Sequence, residues 1–351
     1  MDVAIVGATG YGGMQLVSLL KDNNNYKISF LGGNKSAGSK WNDLFPFINL
    51  RDNLLVEDID PNKIAENSDI ALLSLPSGLS SQVTPKLLKN GIKVIDLSAD
   101  YRYKSLDKWK EIYNKESKIY KREDYELCEE AVYGLTEINY EIISKSRLIA
   151  CPGCYPTSSL IPLYPLLSQG IIDNDGITVD SKSGTSGGGR ESKKNLLHSE
   201  CSEGLSAYGL VNHRHRSEIE DILSAISGIE IELLFTPHLI PIARGMFTTI
   251  YCRLKDPGLT SDDCKTLLES YYRNFSNIQI LPVGVYPSTK WVRNTNKIFI
   301  SLKVDQRNGR LVILSVLDNL LKGQAGQSLQ NLNLICGLDM NDGLEFNNLY
   351  P

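Results

Sequence analysis

The chain opens on Val3-Ala4-Ile5-Val6-Gly7-Ala8-Thr9-Gly10-Tyr11-Gly12-Gly13, an apolar stretch that runs straight into a glycine loop. Residues 3–6 read as a short strand. Residues 12–21 read as a helix with Met14, Val17 and Leu20 on one face. Glycines between a strand and a helix permit a tight turn, and they let backbone amides approach a pyrophosphate at the positive end of the helix. The spacing is G-x-x-G-x-x-G, with Thr9 where the standard fingerprint has its second glycine. Gly7, Thr9, Gly10, Tyr11 and Gly12 are therefore candidate dinucleotide contacts. The bland alternative, a glycine-rich turn that binds nothing, fits the surrounding βαβ pattern less well.

Working outward, residues 26–31, 69–75 and 93–97 read as further strands, with a helix over 84–89 between the last two. Strands separated by helix-length crossovers imply a doubly wound parallel sheet, and their unbroken apolar runs suit strands covered on both faces. The second strand ends at Leu31-Gly32-Gly33-Asn34-Lys35-Ser36, without the Asp or Glu that would hold a ribose 2′-hydroxyl. Lys35 and Ser36 suit a 2′-phosphate instead, which favours NADP; the alternative for Lys35 is a plain surface lysine.

The middle of the chain reads differently. Strand signals at 177–182, 230–235, 247–254, 278–283 and 298–304 have few helices between the later ones, so a mixed or antiparallel sheet is expected. Residues 311–321 read as helical and continue through 324–331. The 351 residues exceed what one hydrophobic core usually holds. The expected class is α/β: a Rossmann-type doubly wound parallel sheet plus an α+β catalytic and oligomerisation domain with a mixed sheet. The expected division is 1–150 for cofactor binding, 151–314 for catalysis and oligomerisation, and 315–351 as a C-terminal helix returning to the first domain.

Composition narrows the function classes. The net charge of -4 gives no clustered positive face for nucleic acid or a membrane surface. The lysines of residues 104–121 are interleaved with acids and read as solvated surface. Seven cysteines, an odd number over a long chain, point to a reducing compartment rather than a disulfide framework. The first residues lack a cleavable signal pattern, and no apolar run approaches the roughly 18 residues of a membrane span. A cytoplasmic location is expected.

The chemistry concentrates at Cys151-Pro152-Gly153-Cys154-Tyr155-Pro156-Thr157, ahead of an apolar helical run over 158–167. Cys154 would lie near a helix N-terminus, where the thiolate needed of a nucleophile is favoured. The alternatives are a small buried hydrophobe, a redox dithiol with Cys151, or a zinc ligand. No second C-x-x-C completes a zinc site, so no metal is expected. Among four histidines, His213 and His215 precede a helix that Ser217 would cap, with Glu220 closing a capping box. Glu218 follows His215 by three residues and would orient its imidazole as a general acid/base; the alternative is a surface pair beside an acidic helix. His238 reads as a core histidine and His198 as exposed. Arg102, in Asp96-Leu97-Ser98-Ala99-Asp100-Tyr101-Arg102 beyond a strand's C-terminal end, joins Arg190 and Arg244 as candidates to hold an anionic substrate. Residues 183–189, rich in Gly and Ser, form either an anion nest or a flexible turn.

Taken together, residues 7–13, 96–102, 152–157, 183–190, 213–218, 235–246 and 318–326 resemble the N-acetyl-γ-glutamyl-phosphate reductases of the semialdehyde dehydrogenase superfamily. The joint presence of G-C-Y-P-T and H-R-H-x-x-E carries the resemblance furthest. It implies Cys154 as nucleophile and His215 as acid/base, with Glu218 in support and His213 nearby. It implies NADP at the glycine loop, with Ser186, Gly187 and Asn319 contributing, and Arg102 with Ser98 at the phosphate site. The substrate would be a small acyl phosphate, reduced to an aldehyde through a thioester, and the protein a homodimer or homotetramer. Two positions depart from the family pattern: Cys151 stands where Asn is common, and Ser217 where Pro is common. Rival readings are a reductase of aminoadipyl or aspartyl phosphate, which Tyr155-Pro156 disfavours, and a non-catalytic NADP-binding redox switch using Cys151 and Cys154.

Overall fold

The computed structural model describes residues 1–113 and 122–345; part of the lysine-rich stretch, residues 114–121, lies outside them. The chain forms two compact units, one of Met1–Pro152 with Gln324–Leu344, the other of Gly153–Gly323.

The first unit is built on β1 (Asp2–Val6), β2 (Lys27–Gly32), β3 (Val56–Glu57), β4 (Ile70–Leu73), β5 (Lys93–Asp96), β6 (Val132–Tyr133) and β7 (Leu148–Ala150). Their order is β3-β2-β1-β4-β5-β7-β6, and every pair is parallel. The chain winds outward from β1 in one direction and returns through β4 in the other. The order therefore reverses between β1 and β4, where open α/β sheets bind ligands. Residues Val3 to Val6 and Ile70 to Leu73 are all buried, as expected of strands sandwiched between helices. The helix Tyr11–Leu20 follows the glycine loop and buries Met14, Leu16, Val17, Leu19 and Leu20. Its tight entry depends on Gly13, where a Cβ would stand 2.3 Å from the Gly7 carbonyl oxygen and 2.6 Å from Ala8 Cα.

The second unit is built on β8 (Ile177–Gly184), β9 (Ser206–Ala207), β10 (Leu233–Ile240), β11 (Met246–Arg253), β12 (Ile278–Ile280), β13 (Ile298–Asp305) and β14 (Arg310–Leu317). The order is β12-β13-β14-β11-β8-β10-β9, a mixed sheet in which β8–β10 and β12–β13 are parallel and the other pairs antiparallel. Burial alternates along β8 and β10, so one face is covered and the other partly open. The helix Cys154–Ser168 belongs to the covered side, and its residues from Tyr155 to Leu163 are all buried. A chain of buried hydroxyls joins it to the sheet: Ser158 Oγ lies 2.7 Å from Thr248 Oγ1, which lies 2.9 Å from Ser181 Oγ. Pro165 inside this helix cannot donate to the Ile161 carbonyl one turn back; the Tyr272 hydroxyl donates to it instead.

One expectation fails outright. Residues 311–321, read as helical, are mostly strand β14, inserted between β11 and β13 with eight paired residues on each side. A short apolar run carries no periodicity that separates a buried helix from a buried strand, and the β-branched Val312, Ile313 and Val316 favour the sheet. The helix proper is Gly326–Ile335, after a single wide turn over Leu321–Ala325. The strand expected at 278–283 shortens to Ile278–Ile280, and that at 230–235 starts at Leu233 and continues to Ile240.

Gly13→Ala tests the glycine loop, because alanine suits a helix and only the clash opposes it. The substitution should cost roughly 1–3 kcal/mol of unfolding free energy in urea titration. A change below about 0.5 kcal/mol, the scale of an ordinary surface substitution, would contradict the tight entry described above.

Candidate active site

Cys154 is the first residue of the helix Cys154–Ser168, whose N-cap, Gly153, contributes no side-chain hydrogen bond. The first-turn amides of a helix have no intrahelical acceptor and, with the macrodipole, favour negative charge. The Gly153 amide is an exception: it donates to Glu218 Oε1 at 2.9 Å. Glu218 is 1% exposed. A Cβ on Gly323 would stand 2.8 Å from Cys154 Cβ, so glycine is required for the chain to pass behind the thiol.

The histidines belong to the helix Arg214–Ser227, and its N-cap differs from the expected one. His213, not Ser217, is the N-cap, and its Nδ1 accepts from the His215 amide at 3.1 Å. Ser217 lies inside the helix. Glu220 does not close a capping box; its Oε1 accepts from Arg216 Nε at 2.9 Å and from the Leu233 amide at 3.0 Å. An imidazole nitrogen can cap as a carboxamide does, which a search for Ser, Thr, Asp and Asn overlooks. Because Nδ1 accepts, neutral His213 carries its proton on Nε2. Burial, aided by the Arg214 charge, pushes His213 down to about 4. His215 and Glu218, three apart in the helix, share a face.

Tyr155 binds these parts together. Its ring makes edge contacts with His213 at 5.5 Å, His215 at 5.7 Å and Phe235 at 5.3 Å between centroids. Its hydroxyl lies 2.8 Å from that of Tyr208. Burial raises both phenols, Tyr208 to about 12, and negative charge on Cys154 raises both further, so both remain protonated hydrogen-bonding groups within the field of a Cys154 thiolate. Tyr208, in the loop after β9, carried no recognisable signal in the sequence. Tyr155 lay inside a motif but had no role there.

The remaining candidates of this unit divide into two groups. Asn319 is 2% exposed; its Oδ1 accepts from the Gly245 amide at 2.8 Å and its Nδ2 donates to Ser186 Oγ at 2.9 Å. It thereby ties the glycine-rich turn Thr185–Gly188, with Gly187, to the turn before β11. Arg244 Nε lies 3.2 Å from Asp318 Oδ2, a carboxylate with no exposed side-chain surface, and Nη1 donates to Asn294 Oδ1. Arg190 is exposed at the end of the glycine turn. His198 is exposed. His238 is not a core residue: it is half-buried on β10, with Nδ1 3.1 Å from Asp180 Oδ1. The strand alternation that buries Pro237 and Leu239 turns His238 outward.

In the first unit, Arg102 Nε donates to the Cys151 carbonyl at 2.8 Å and Nη2 to the Leu97 carbonyl at 3.1 Å, bridging the C-terminal ends of β5 and β7. Ser98 is 5% exposed and engaged locally, its Oγ donating to Asp96 Oδ2 at 2.7 Å. Burial and the nearby Asp100 charge push Asp96 up to about 6. Cys151 is 1% exposed, and burial pushes its thiol up to about 12, which suits neither a nucleophile nor a redox partner. The glycine loop fits a pyrophosphate. Its helix starts at the N-cap Gly10 without a side-chain cap, leaving the first-turn amides for an anion. A Cβ on Gly33 would meet Thr9 at 3.6 Å, so Thr9 faces the end of β2, and the short turn Asn34–Ser36 there exposes Lys35. Asn34, where an NAD site has its acid, holds the Ile59 amide.

Comparison with known proteins places the chain among its relatives. The family model described as semialdehyde dehydrogenase, NAD binding domain, matches residues 2–146, and the one described as semialdehyde dehydrogenase, dimerisation domain, matches residues 154–319. The chain is 70% identical to the N-acetyl-gamma-glutamyl-phosphate reductase of Prochlorococcus marinus (strain MIT 9215) over 351 residues, all of both chains. It is 58% identical to that of strain MIT 9211 over 349 residues, 99% of this chain and 97% of the other. Among solved structures, aspartate semialdehyde dehydrogenase II from Vibrio cholerae superposes with a TM-score of 0.72 at 17% identity, covering 96% of this chain and 98% of that one. The aspartate semialdehyde dehydrogenase with NADP from Candida albicans gives 0.70 at 16% identity, covering 97% and 98%. At such identities the structures establish a shared fold.

The His213 cap has a pH signature. Its folded value of about 4 lies below the ordinary 6.5, so between these limits the unfolded chain binds the extra proton. Its contribution is full above about pH 6.5 and is lost as pH falls toward 4. His213→Asn keeps a capping acceptor and removes the titration. Urea unfolding at pH 7 and pH 5 should show a smaller loss of stability in the variant than in the native protein. An equal loss would mean that His213 is not held neutral.

Proposed function

The chain belongs to the semialdehyde dehydrogenase family, in its N-acetyl-γ-glutamyl-phosphate reductase branch, and on that premise we propose that it reduces N-acetyl-γ-glutamyl phosphate to N-acetylglutamate 5-semialdehyde and phosphate, a step of arginine biosynthesis, through a thioester on Cys154. The observation that carries the reading is Cys154 at the first position of a buried helix whose next residue, Tyr155, packs its ring against those of His213 and His215. The chain is an oxidoreductase, and its cofactor is NADP.

The Cys154 Sγ attacks the acyl carbon, the bond from that carbon to the phosphate oxygen breaks, and phosphate leaves. Gly7, Thr9, Gly10, Tyr11 and Gly12 would hold NADPH, with Lys35 and Ser36 at its 2′-phosphate, and the bound cofactor would supply the hydride for reduction of the thioester. His215 protonates the oxyanion of the resulting thiohemiacetal, then accepts that proton back as the C–S bond breaks and the thiolate re-forms. Glu218 fixes the main chain before the nucleophile, and His213, neutral, fixes His215. Arg102 receives the phosphate, while Ser98 shapes the loop that carries it. Asn319, hydrogen-bonded to Ser186 beside Gly187, is assigned with them to the cofactor. Arg190, exposed on the glycine turn, is a second cation for the anionic substrate, and Arg244 acts through its ion pair with Asp318.

The protein works in the cytoplasm as a homodimer or homotetramer assembled through residues 154–319; among the described residues no helix is long and apolar enough to cross a membrane.

Phosphate-dependent reduction of NADP by N-acetylglutamate semialdehyde tests the reading. Cys154→Ser should abolish activity, and His215→Asn should lower kcat by a factor of about a hundred to ten thousand. Full activity in Cys154→Ser contradicts the thioester route. Activity only with aspartate or aminoadipate semialdehyde would move the substrate assignment to a neighbouring branch; one methylene is worth about 1–3 kcal/mol in a pocket.

A further inference from the structure

Arg122 takes no part in the reaction above, yet it is one of the most deeply buried cations of the first unit. Its side chain is 2% exposed. Nε and Nη2 form a two-pronged ion pair with Asp124 at 3.0 and 2.8 Å. The guanidinium carbon lies 4.3 Å from the centroid of the Trp109 ring and 5.0 Å from that of Tyr101. These contacts stabilise a cation taken out of water. They also aim one remaining donor. Nη1 reaches the backbone carbonyl of Asp100 at 2.7 Å, two residues before Arg102.

Two acids also hold the loop from Leu97 to Arg102. The Asp96 carboxylate caps its first turn through the Ser98 amide and hydroxyl. The Asp100 carboxylate faces the other way, accepting the Gly78 and Ser81 amides at the start of the helix Ser80–Lys89. Both carboxyls are raised by burial, and the Arg122 charge opposes the rise at Asp100. Arg122 is thus a cation that touches the loop's backbone and also stabilises the acid anchoring it. Arg102 emerges from that anchor to bridge β5 and β7.

We propose that Arg122 is a positioning residue for the phosphate subsite: by donating to the Asp100 carbonyl it sets the direction in which Arg102 presents its guanidinium to the phosphoryl group. This rests on the assignment of Arg102 to the phosphate. A buried arginine with only a packing role would lower stability and active fraction, and would leave the affinity for phosphate untouched.

Steady-state kinetics of phosphate-dependent NADP reduction on native protein, Arg122→Met, Arg122→Lys, Arg102→Lys and the double variants separates these readings. Loss of a hydrogen bond from a charged group should raise KM for phosphate roughly tenfold or more in Arg122→Met, with kcat, normalised to titratable Cys154, changed less than about threefold and KM for NADP unchanged. Arg122→Lys keeps the charge and one donor, and should recover part of that loss. In the Arg102→Lys background either Arg122 substitution should add little, because the path runs through Arg102. If Arg122→Met does not fold, the lysine variant and its double carry the same test. Unchanged KM for phosphate in the folded Arg122 variants, or effects that multiply fully in the double variants, would overturn the inference while Arg102 keeps its role. An unchanged KM in Arg102→Lys would overturn the Arg102 assignment and the inference with it.

Discussion

A carboxylate as buried as Glu218 must find hydrogen-bond donors in place of the water it has lost. One of them is the amide of Gly153, the residue before Cys154. This single contact joins the start of the helix Cys154–Ser168 to the helix Arg214–Ser227, and the placement of the two histidines follows from helical geometry. His215 lies three residues earlier on the same face as Glu218. His213 caps the same helix and contacts the His215 ring at 4.9 Å. Tyr155, one residue after the nucleophile, closes the group against both imidazoles. A displacement of either helix along its axis would separate the Glu218 carboxylate from the Gly153 amide and move His215 relative to Cys154.

The two units solve a similar problem by different means. The glycine loop and Cys154 both lie at helix N-termini without a side-chain cap, and close backbone approach at each depends on Gly13 and Gly323 lacking a Cβ. In the loop that carries Arg102, by contrast, the charged groups are side chains that bind main-chain atoms, with Asp96, Asp100 and Arg122 around a short stretch of main chain. Backbone anion sites are rigid by construction. Arg122 lies behind that stretch of main chain, held by Asp124, Trp109 and Tyr101.

Much of this was legible in the sequence where a pattern has one physical meaning. The glycine loop after an apolar strand, the parallel strands of the first unit and the Cys154 helix start all followed from periodicity and chain geometry. Residues 311–317 form a strand rather than the expected helix: a short apolar run has no periodicity that separates the two, and its β-branched residues and the neighbours β11 and β13 favour the sheet. The His213 cap was missed because histidine seldom serves there, and Ser217 offered the commoner residue four positions on. The pairing of Glu218 with Gly153, 65 residues apart, and of Tyr155 with Tyr208 has no local signature at all. The sequence spacing pairs Glu218 with His215, whereas the Gly153 amide that it accepts from is defined by the packing of two helices.

The central claim is that acyl transfer passes through Cys154. The most direct measurement is intact and peptide mass spectrometry of protein quenched after mixing with N-acetylglutamate semialdehyde and NADP without phosphate. Oxidation can then proceed to the thioester, with no phosphate to take the acyl group. The account predicts a burst of NADPH equal to the active sites and one hydroxylamine-labile acyl group on the peptide containing Cys154. A burst with no such adduct, or an adduct on another cysteine, would contradict it.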